Sequence, residues 1–403
     1  MELFWLEHKK LWRKKIVKIC VLLCFVYCVI FGSILSFQWF SFGSSDDYTS
    51  AFGNNFDGYT VIKDSQEYAL SFGGELTDET LQQIVSDYQQ MEADGMEEEL
   101  EKTDWQIVNS WLGTLYPELR DTGNYKTMIS YVDPDKLTGF YERRQQVLDE
   151  FLEVSGQVGA EKEYLHQIDG KVEKPFHYEW VEGWSTLLGS MVADLGVVMA
   201  LFLGIVLSSL FAGEWHDNTS TLVLTTRNGW GKIALAKILT GLAFTVELFA
   251  LLAVSSVISQ LFFMGTAGWN MPIQNIKLIA VAPMNMLQAE IYEYAFVLLG
   301  AIGFAGIVMF ISAAVKNNVL TLLLSLTVVY GPMMIAEYLP YGMQKALDLI
   351  PLVGSSTDIF RTNTFRIFGK LIWSPYLLIT IPVLIGILCM PFAIKSWSRR
   401  MKA

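Results

Sequence analysis

Asp194 and Glu247 are the residues most at odds with their surroundings, because each carboxylate stands inside a long apolar run. Asp194 is about nine residues into the run that begins at Ser185, about 14 Å at 1.5 Å per residue. A carboxylate in hydrocarbon is costly unless it is paired, hydrated or protonated, so such groups face a cavity or a partner. Two roles fit: a polar point on a translocation path, or a structural hydrogen bond between neighbouring spans. Gly189, Gly196 and Gly204 leave room near Asp194 for a cavity or for close packing. Glu290, Glu293 and Glu337 lie near span ends and read as interfacial. Cys20, Cys24 and Cys28 recur at i, i+4, i+8 on one helical face, but no His or carboxylate stands beside them to complete a metal site. They read as small packing residues, with Cys389 alone in the last apolar run.

Enzymatic signatures are missing. The chain has no phosphate-cradling G-x-x-x-x-G-K-S/T, no H-E-x-x-H and no G-x-S-x-G, and its only histidines are His8, His166, His177 and His216. No catalytic, cofactor-binding or metal-binding residue is expected, and no nucleic-acid partner.

The elements that must position these residues follow from composition. Of 403 residues, 52% are hydrophobic and 17% charged, against about 25% charged in a soluble domain. Six apolar runs are long enough to cross a bilayer as helices: 16–42, 185–212, 233–264, 291–315, 318–339 and 373–394. Basic residues flank them on one side: Lys9, Lys10, Arg13, Lys14, Lys15 and Lys18 before the first, Arg227 and Lys232 after the second, Lys316 after the fourth, and Lys395, Arg399, Arg400 and Lys402 at the end. The positive-inside rule then puts both termini in the cytoplasm. The first run is too long for a cleaved signal peptide. Residues 1–15 read as an amphipathic helix in the headgroup plane, with Phe4, Trp5, Leu11 and Trp12 on one arc and Lys9, Lys10 and Arg13 on the other.

Residues 43–184 hold 30 of the 41 acidic residues and 10 of the 29 basic ones, a net charge of −20. This segment cannot lie in hydrocarbon, is long enough for its own core, and is placed outside by the topology. It contains no cysteine and therefore no disulfide. Turns and short strands, or irregular structure, are expected over 43–75. A helix capped by Thr77 should follow, with Leu81, Ile84, Val85 and Tyr88 on one face. A second is expected over 103–115 and a third from Asp133-Pro134 through Leu137 and Phe140 to Phe151, with Pro at its first position. The run 97–101 reads as a solvated acidic face. Residues 341–370 are broken by Pro351 and Gly354 and read as a re-entrant or interface-lying pair of short helices.

The richest pattern is the loop after the second span. The helix ends in Phe211-Ala212-Gly213-Glu214; an amphipathic piece follows over 219–226; then come Arg227, a glycine-flanked turn at 228–231, Lys232 and Lys237. Leu222 and Leu224 give the piece an apolar side that suits a partner's groove. The structural alternative is a simple connection that binds lipid headgroups.

This pattern resembles the permeases of the type-2 ABC transporter family. The matching positions are Glu214, Asn218, Thr219, Leu222, Leu224, Thr225, Thr226, Arg227 and Lys237. Six spans, a basic interfacial helix and a large loop between spans one and two extend the resemblance to the topology of the whole chain. Trp215-His216-Asp217 is bulkier than in many relatives.

The resemblance implies an all-α polytopic membrane protein with a mainly helical extracytoplasmic domain. Its parts would be an interfacial helix (1–15), a first transmembrane helix (16–42), the outer domain (43–184), spans two to six (185–394) with a coupling loop at 213–232, and a cytoplasmic tail (395–403). It further implies a multi-pass protein of the bacterial cell membrane exporting a peptide or hydrophobic substrate. ATP and Mg would be held by separate ABC ATPase subunits. A second permease, identical or not, and membrane lipids would be the other partners. The acidic outer domain would attract cationic peptides. Competing readings are a mechanotransmitting permease, against which six spans argue, and a membrane-bound receptor or immunity protein that binds an extracellular peptide without transport.

Overall fold

The computed structural model describes residues 2–30, 66–67, 73–95, 105–121, 127–217, 231–354 and 362–399. Five of its helices are long and apolar enough to cross a membrane. They are α8 (Val192–His216), α9 (Lys232–Met264), α10 (Met286–Ala314), α11 (Asn318–Ile335) and α13 (Ser374–Arg399). The chain is thus mainly helical, as a multi-pass membrane protein should be. Before them lie α1 (Glu2–Arg13) and α2 (Lys15–Val29). The expected first span continues past α2 to residue 42, outside the described residues.

The polar segment packs on one end of this bundle. It contains β1 (Gly74–Leu76), α3 (Asp78–Ala93), α4 (Trp105–Leu115), α5 (Phe140–Val154), α6 (Ala160–Asp169) and β2 (Phe176–Tyr178), with β1 antiparallel to β2. The Thr77 hydroxyl accepts from the Thr80 amide, and Leu81, Ile84, Val85 and Tyr88 are buried, as their spacing predicts. The helix expected from Pro134 is interrupted. Asp133 caps only one 3-10 turn (Pro134–Lys136), and the chain then bends through Gly139 at φ 74°. That left-handed conformation suits glycine. The true start of α5 is capped from a distance: Asp78 accepts from the amides of Gly139 (2.6 Å) and Phe140 (2.9 Å). The acidic run 97–101 lies outside the described residues.

The core of this segment is not self-contained. Leu81, Trp111, Phe140, Leu148 and Phe176 share one buried cluster with Ile273, Val281, Ala282 and Met286 of the α9–α10 connection. Arg144, fully buried, pairs with both oxygens of Asp169 and donates to the carbonyls of Leu278 (2.7 Å) and Ala280 (3.0 Å). The Trp111 indole donates to Asn275 O. A short helix, α7 (Glu182–Thr186), then runs through a π-helical turn, Leu187–Met191, into α8. Trp180 donates to the carbonyl of Met264 at the end of α9.

Inside the bundle, α10 and α13 approach at backbone contact. A Cβ on Gly303 would run into the Pro382 carbonyl, and one on Gly306 into Gly386. The stretch 341–370 departs from the expected helix pair. It contains α12 (Tyr341–Leu347) and a turn that seats Leu352 against Gly300 of α10; residues 355–361 are not described. A hairpin of β3 (Thr364–Ile367) and β4 (Lys370–Trp373) follows. Phe365 pairs with Ile372, Arg366 with Leu371 and Ile367 with Lys370 across a Phe368-Gly369 turn in which both φ values are positive, the conformation that tight hairpin turns require. Thr364 donates to Gln157, and Arg366 pairs with Glu161, so the hairpin is pinned to the polar segment.

Candidate functional site

The far end of the bundle, where α8 leaves and α9 returns, gathers the densest charge network. Glu214 stands in the last turn of α8, two residues before its end, and is buried. Its Oε1 accepts from Lys237 of α9 (2.9 Å) and Lys10 of α1 (2.5 Å). Lys237, also buried, donates to Glu7 of α1 (2.8 Å) and to the carbonyl of Leu210 (3.1 Å). Two acids and two lysines are thus closed into a balanced cluster. Charges at this depth are stable only when each is matched and hydrogen-bonded.

Three helices supply the cluster for local reasons. Glu7, Lys10 and Leu11 fall at i, i+3, i+4, so one face of α1 carries them together, and Lys14 follows at the α1–α2 junction. That face turns inward. Leu11 is buried, Trp12 packs on Phe244 of α9 with ring centroids 5.8 Å apart, and Trp5 is exposed. The expected headgroup-facing lysine arc is therefore corrected at Lys10, which faces protein. Lys14 donates to Ser209 of α8. Burial, with the nearby charges of Lys237 and Lys10, lowers the pKa of Lys14. Burial also works to lower that of Lys10, but its bond to Glu214 and the charges of Glu7, Glu214 and Asp217 hold it above the usual lysine value.

The end of α8 is fixed from the other side as well. Ser312 of α10 accepts from the amides of Phe211 and Ala212 (3.1 Å each) and donates to Ser208 O. Trp397 of α13 packs on Phe211 and Trp215, and Lys316 lies 4.3 Å over the Trp215 ring. The bulk of Trp215 is thus a packing element. Asn218, Thr219, Leu222, Leu224, Thr225, Thr226 and Arg227 lie outside the described residues. What the structure gives is the frame at both ends of their loop.

Asp194 and Glu247 are not brought together. The antiparallel register of α8 and α9, set by Gly241 against Leu207 and Leu210, offsets them by about eight residues, or about 12 Å. Glu247 is not buried as expected: its side chain is 43% exposed and meets α1, accepting from Trp12 Nε1 (3.0 Å) and facing His8 Nε2 (3.2 Å). Asp194 is exposed in the first turn of α8 and takes a hydrogen bond from Tyr27 of α2. Gly204 serves close packing, against Leu322 and Leu326. Glu290 and Glu293, expected at an interface, are buried inside the bundle, 4% and 6% exposed. Glu290 neighbours Tyr294, which hydrogen-bonds Ser256 of α9. The three cysteines of α2 are buried packing residues, and no group able to hold a metal occurs among the described residues.

Lys10 was missed as a partner of Glu214, and Glu7 as a partner of Lys237; their i, i+3 spacing in a helix already read as amphipathic was the available signal. A scan against protein-family models, a search of curated proteins and a search of solved structures each found no match for this chain.

Proposed function

We propose that this chain is the membrane-spanning subunit of an ABC exporter. It would cross the bacterial cell membrane six times, with both termini in the cytoplasm and residues 43–184 outside. Separate ABC ATPase chains hold ATP and Mg and dock on residues 214–228, and a second permease completes the transporter. The cargo is a peptide or hydrophobic substrate.

The observation that carries this reading is the buried Glu214–Lys237 pair, closed by Glu7 and the exposed Lys10, at the root of the proposed docking loop. A loop that receives force is useful only if its two stems cannot move independently. Here the stems, α8 and α9, are locked to each other and to α1. A push on the loop therefore moves three helices together. Asp194, on the first turn of α8, and Glu247, on the α1 side of α9, remain the acids assigned to the translocation path.

The test starts from the neighbouring genes, where this reading expects an ABC ATPase to be encoded, and co-expresses that ATPase with this chain. Glu214→Ala and Arg227→Ala are expected to reduce ATPase assembly or cargo-stimulated hydrolysis while the permease still inserts. Normal assembly and turnover in both variants would remove the docking assignment. For topology, a cysteine at position 120, in a variant lacking the native four, should react with an impermeant reagent in intact cells. Protection there would reverse the orientation.

A further inference from the structure

A cleft of about 400 Å³ lies between the polar segment and the α9–α10 connection. Lys171 and Glu173 line one wall; Asn270, Gln274, Asn285 and Gln288 line the other. The hydrogen bonds already made by these amides determine what they can still offer.

Gln274 is fully buried. Its Nε2 donates to the carbonyls of Ala280 and Ala282, 2.9 Å each, which fixes the orientation of the amide. Its Oε1 is then a buried acceptor with no donor among the described residues. Asn285 caps α10 with its Oδ1 on the Gln288 amide (2.9 Å), so its Nδ2 must be the donor to Asn270 Oδ1 (3.0 Å). Gln288 Oε1 is likewise occupied by the Asn285 amide (3.1 Å). The remaining ends of Asn270 and Gln288 are both NH₂ groups, and neither has a partner among the described residues. With the exposed Lys171 ammonium, three donor groups line one cleft; the first-turn amides of α10 are already taken by Met271 O, Trp269 O and Asn285. Side-chain donors with an ammonium among them favour a carboxylate. The Gln274 acceptor asks for an N–H beside it.

We propose that this cleft binds an α-carboxylate together with its neighbouring N–H, the chemistry shared by a free amino acid and a peptide C-terminus. The carboxylate meets Lys171, Asn270 and Gln288, and the N–H meets Gln274 Oε1. Pro272 and Met284 line the seat for an apolar side chain, and Glu173 provides the counter-charge for the ammonium of a free amino acid. The ligand would bridge the polar segment and the α9–α10 connection. This inference does not depend on an ATPase partner.

The experiment is calorimetric titration of the full-length protein in detergent. The probes are an equimolar set of Gly-Gly-X tripeptides, the same set as C-terminal amides, and the free amino acids. Free-carboxylate ligands are expected to bind saturably, and amidation or Lys171→Met to weaken binding by about tenfold, the scale of one charge-assisted hydrogen bond. Lys136→Met, at another exposed lysine, should leave binding unchanged. Equal binding of amino acids and tripeptides supports the site with a single amino acid as ligand; binding of tripeptides alone supports it with a peptide end. No saturable heat from any probe, or binding indifferent to both amidation and Lys171→Met in a variant with wild-type melting, overturns it.

Discussion

Lys237 Nζ and Glu214 Oε1 lie 2.9 Å apart with both side chains buried, on the two helices that bound residues 218–230. The pair joins α8 to α9 at the level where Lys10 and Glu7 of α1 complete the charge balance. Breaking one member should cost more than removing both. Glu214→Gln is expected to destabilise by about 3–5 kcal/mol, because a buried ammonium loses one of its two counter-charges, and Glu214→Gln/Lys237→Met to recover part of that loss. Thermal unfolding in detergent checks this. Single variants that melt like the wild type would show the pair to be dispensable.

Arg144 is the second buried charge whose removal has a defined consequence. Arg144→Met strands Asp169 and frees the carbonyls of Leu278 and Ala280. A loss of about 3–5 kcal/mol is expected. Hydrogen exchange over 265–285 should accelerate, since that connection is held through this side chain. Unchanged exchange there would mean that apolar packing alone anchors it.

Tyr141 gives the polar segment an alkaline limit. Its hydroxyl donates to Leu76 O (2.8 Å) and accepts from the Phe176 amide (2.6 Å), fastening β1 beside β2. Burial pushes its pKa up to about 12 from 10.0. A phenol whose folded pKa is raised contributes stability that is complete below about pH 10 and is lost as the pH rises toward 12. The segment should therefore loosen over that window, followed by tyrosinate absorbance and circular dichroism. Tyr141→Phe should cost about 1–3 kcal/mol at neutral pH, from an unpaired carbonyl and amide. It should also shrink the alkaline transition, although Tyr116, likewise raised to about 12 by burial, keeps some of it.

Gly303 and Gly306 allow α10 to touch the backbone of α13 at Pro382 and Gly386. Small residues at such a crossing are the usual means of close helix packing in membranes. Gly306→Leu should abolish monodisperse protein in size-exclusion chromatography, while Gly331→Leu on α11, where a Cβ meets only the Thr327 methyl group at 3.5 Å, should be tolerated. Equal recovery of both would mean the crossing can open without loss.

Much of the architecture was legible because it follows from periodicity and composition. The long helices fall close to the apolar runs: α9 and α13 begin within a residue of the expected starts, and the Thr77 cap lies where its neighbours predicted it. Errors arose where a distant residue intervened. The α5 start depends on Asp78, more than 60 positions away, and on Gly139. The β3–β4 hairpin forms in a stretch where a pair of short helices was expected. The candidate site was legible in part: Glu214 and Lys237 stood in the recognised pattern, but their partners on α1 did not.

The sequence by itself determined that hydrocarbon-length helices form and that the acidic segment is not one of them, because burial of apolar runs and exclusion of net charge are local, additive effects. The pairing of charges was decided only by tertiary structure. Glu7, Lys10, Glu214 and Lys237 are separated by as many as 230 positions, and a carboxylate's neighbours depend on which helices pack and in what register. The same reason separates Asp194 from Glu247: both are acids in apolar helices, but the register of α8 on α9 gives one to Tyr27 and the other to Trp12 and His8.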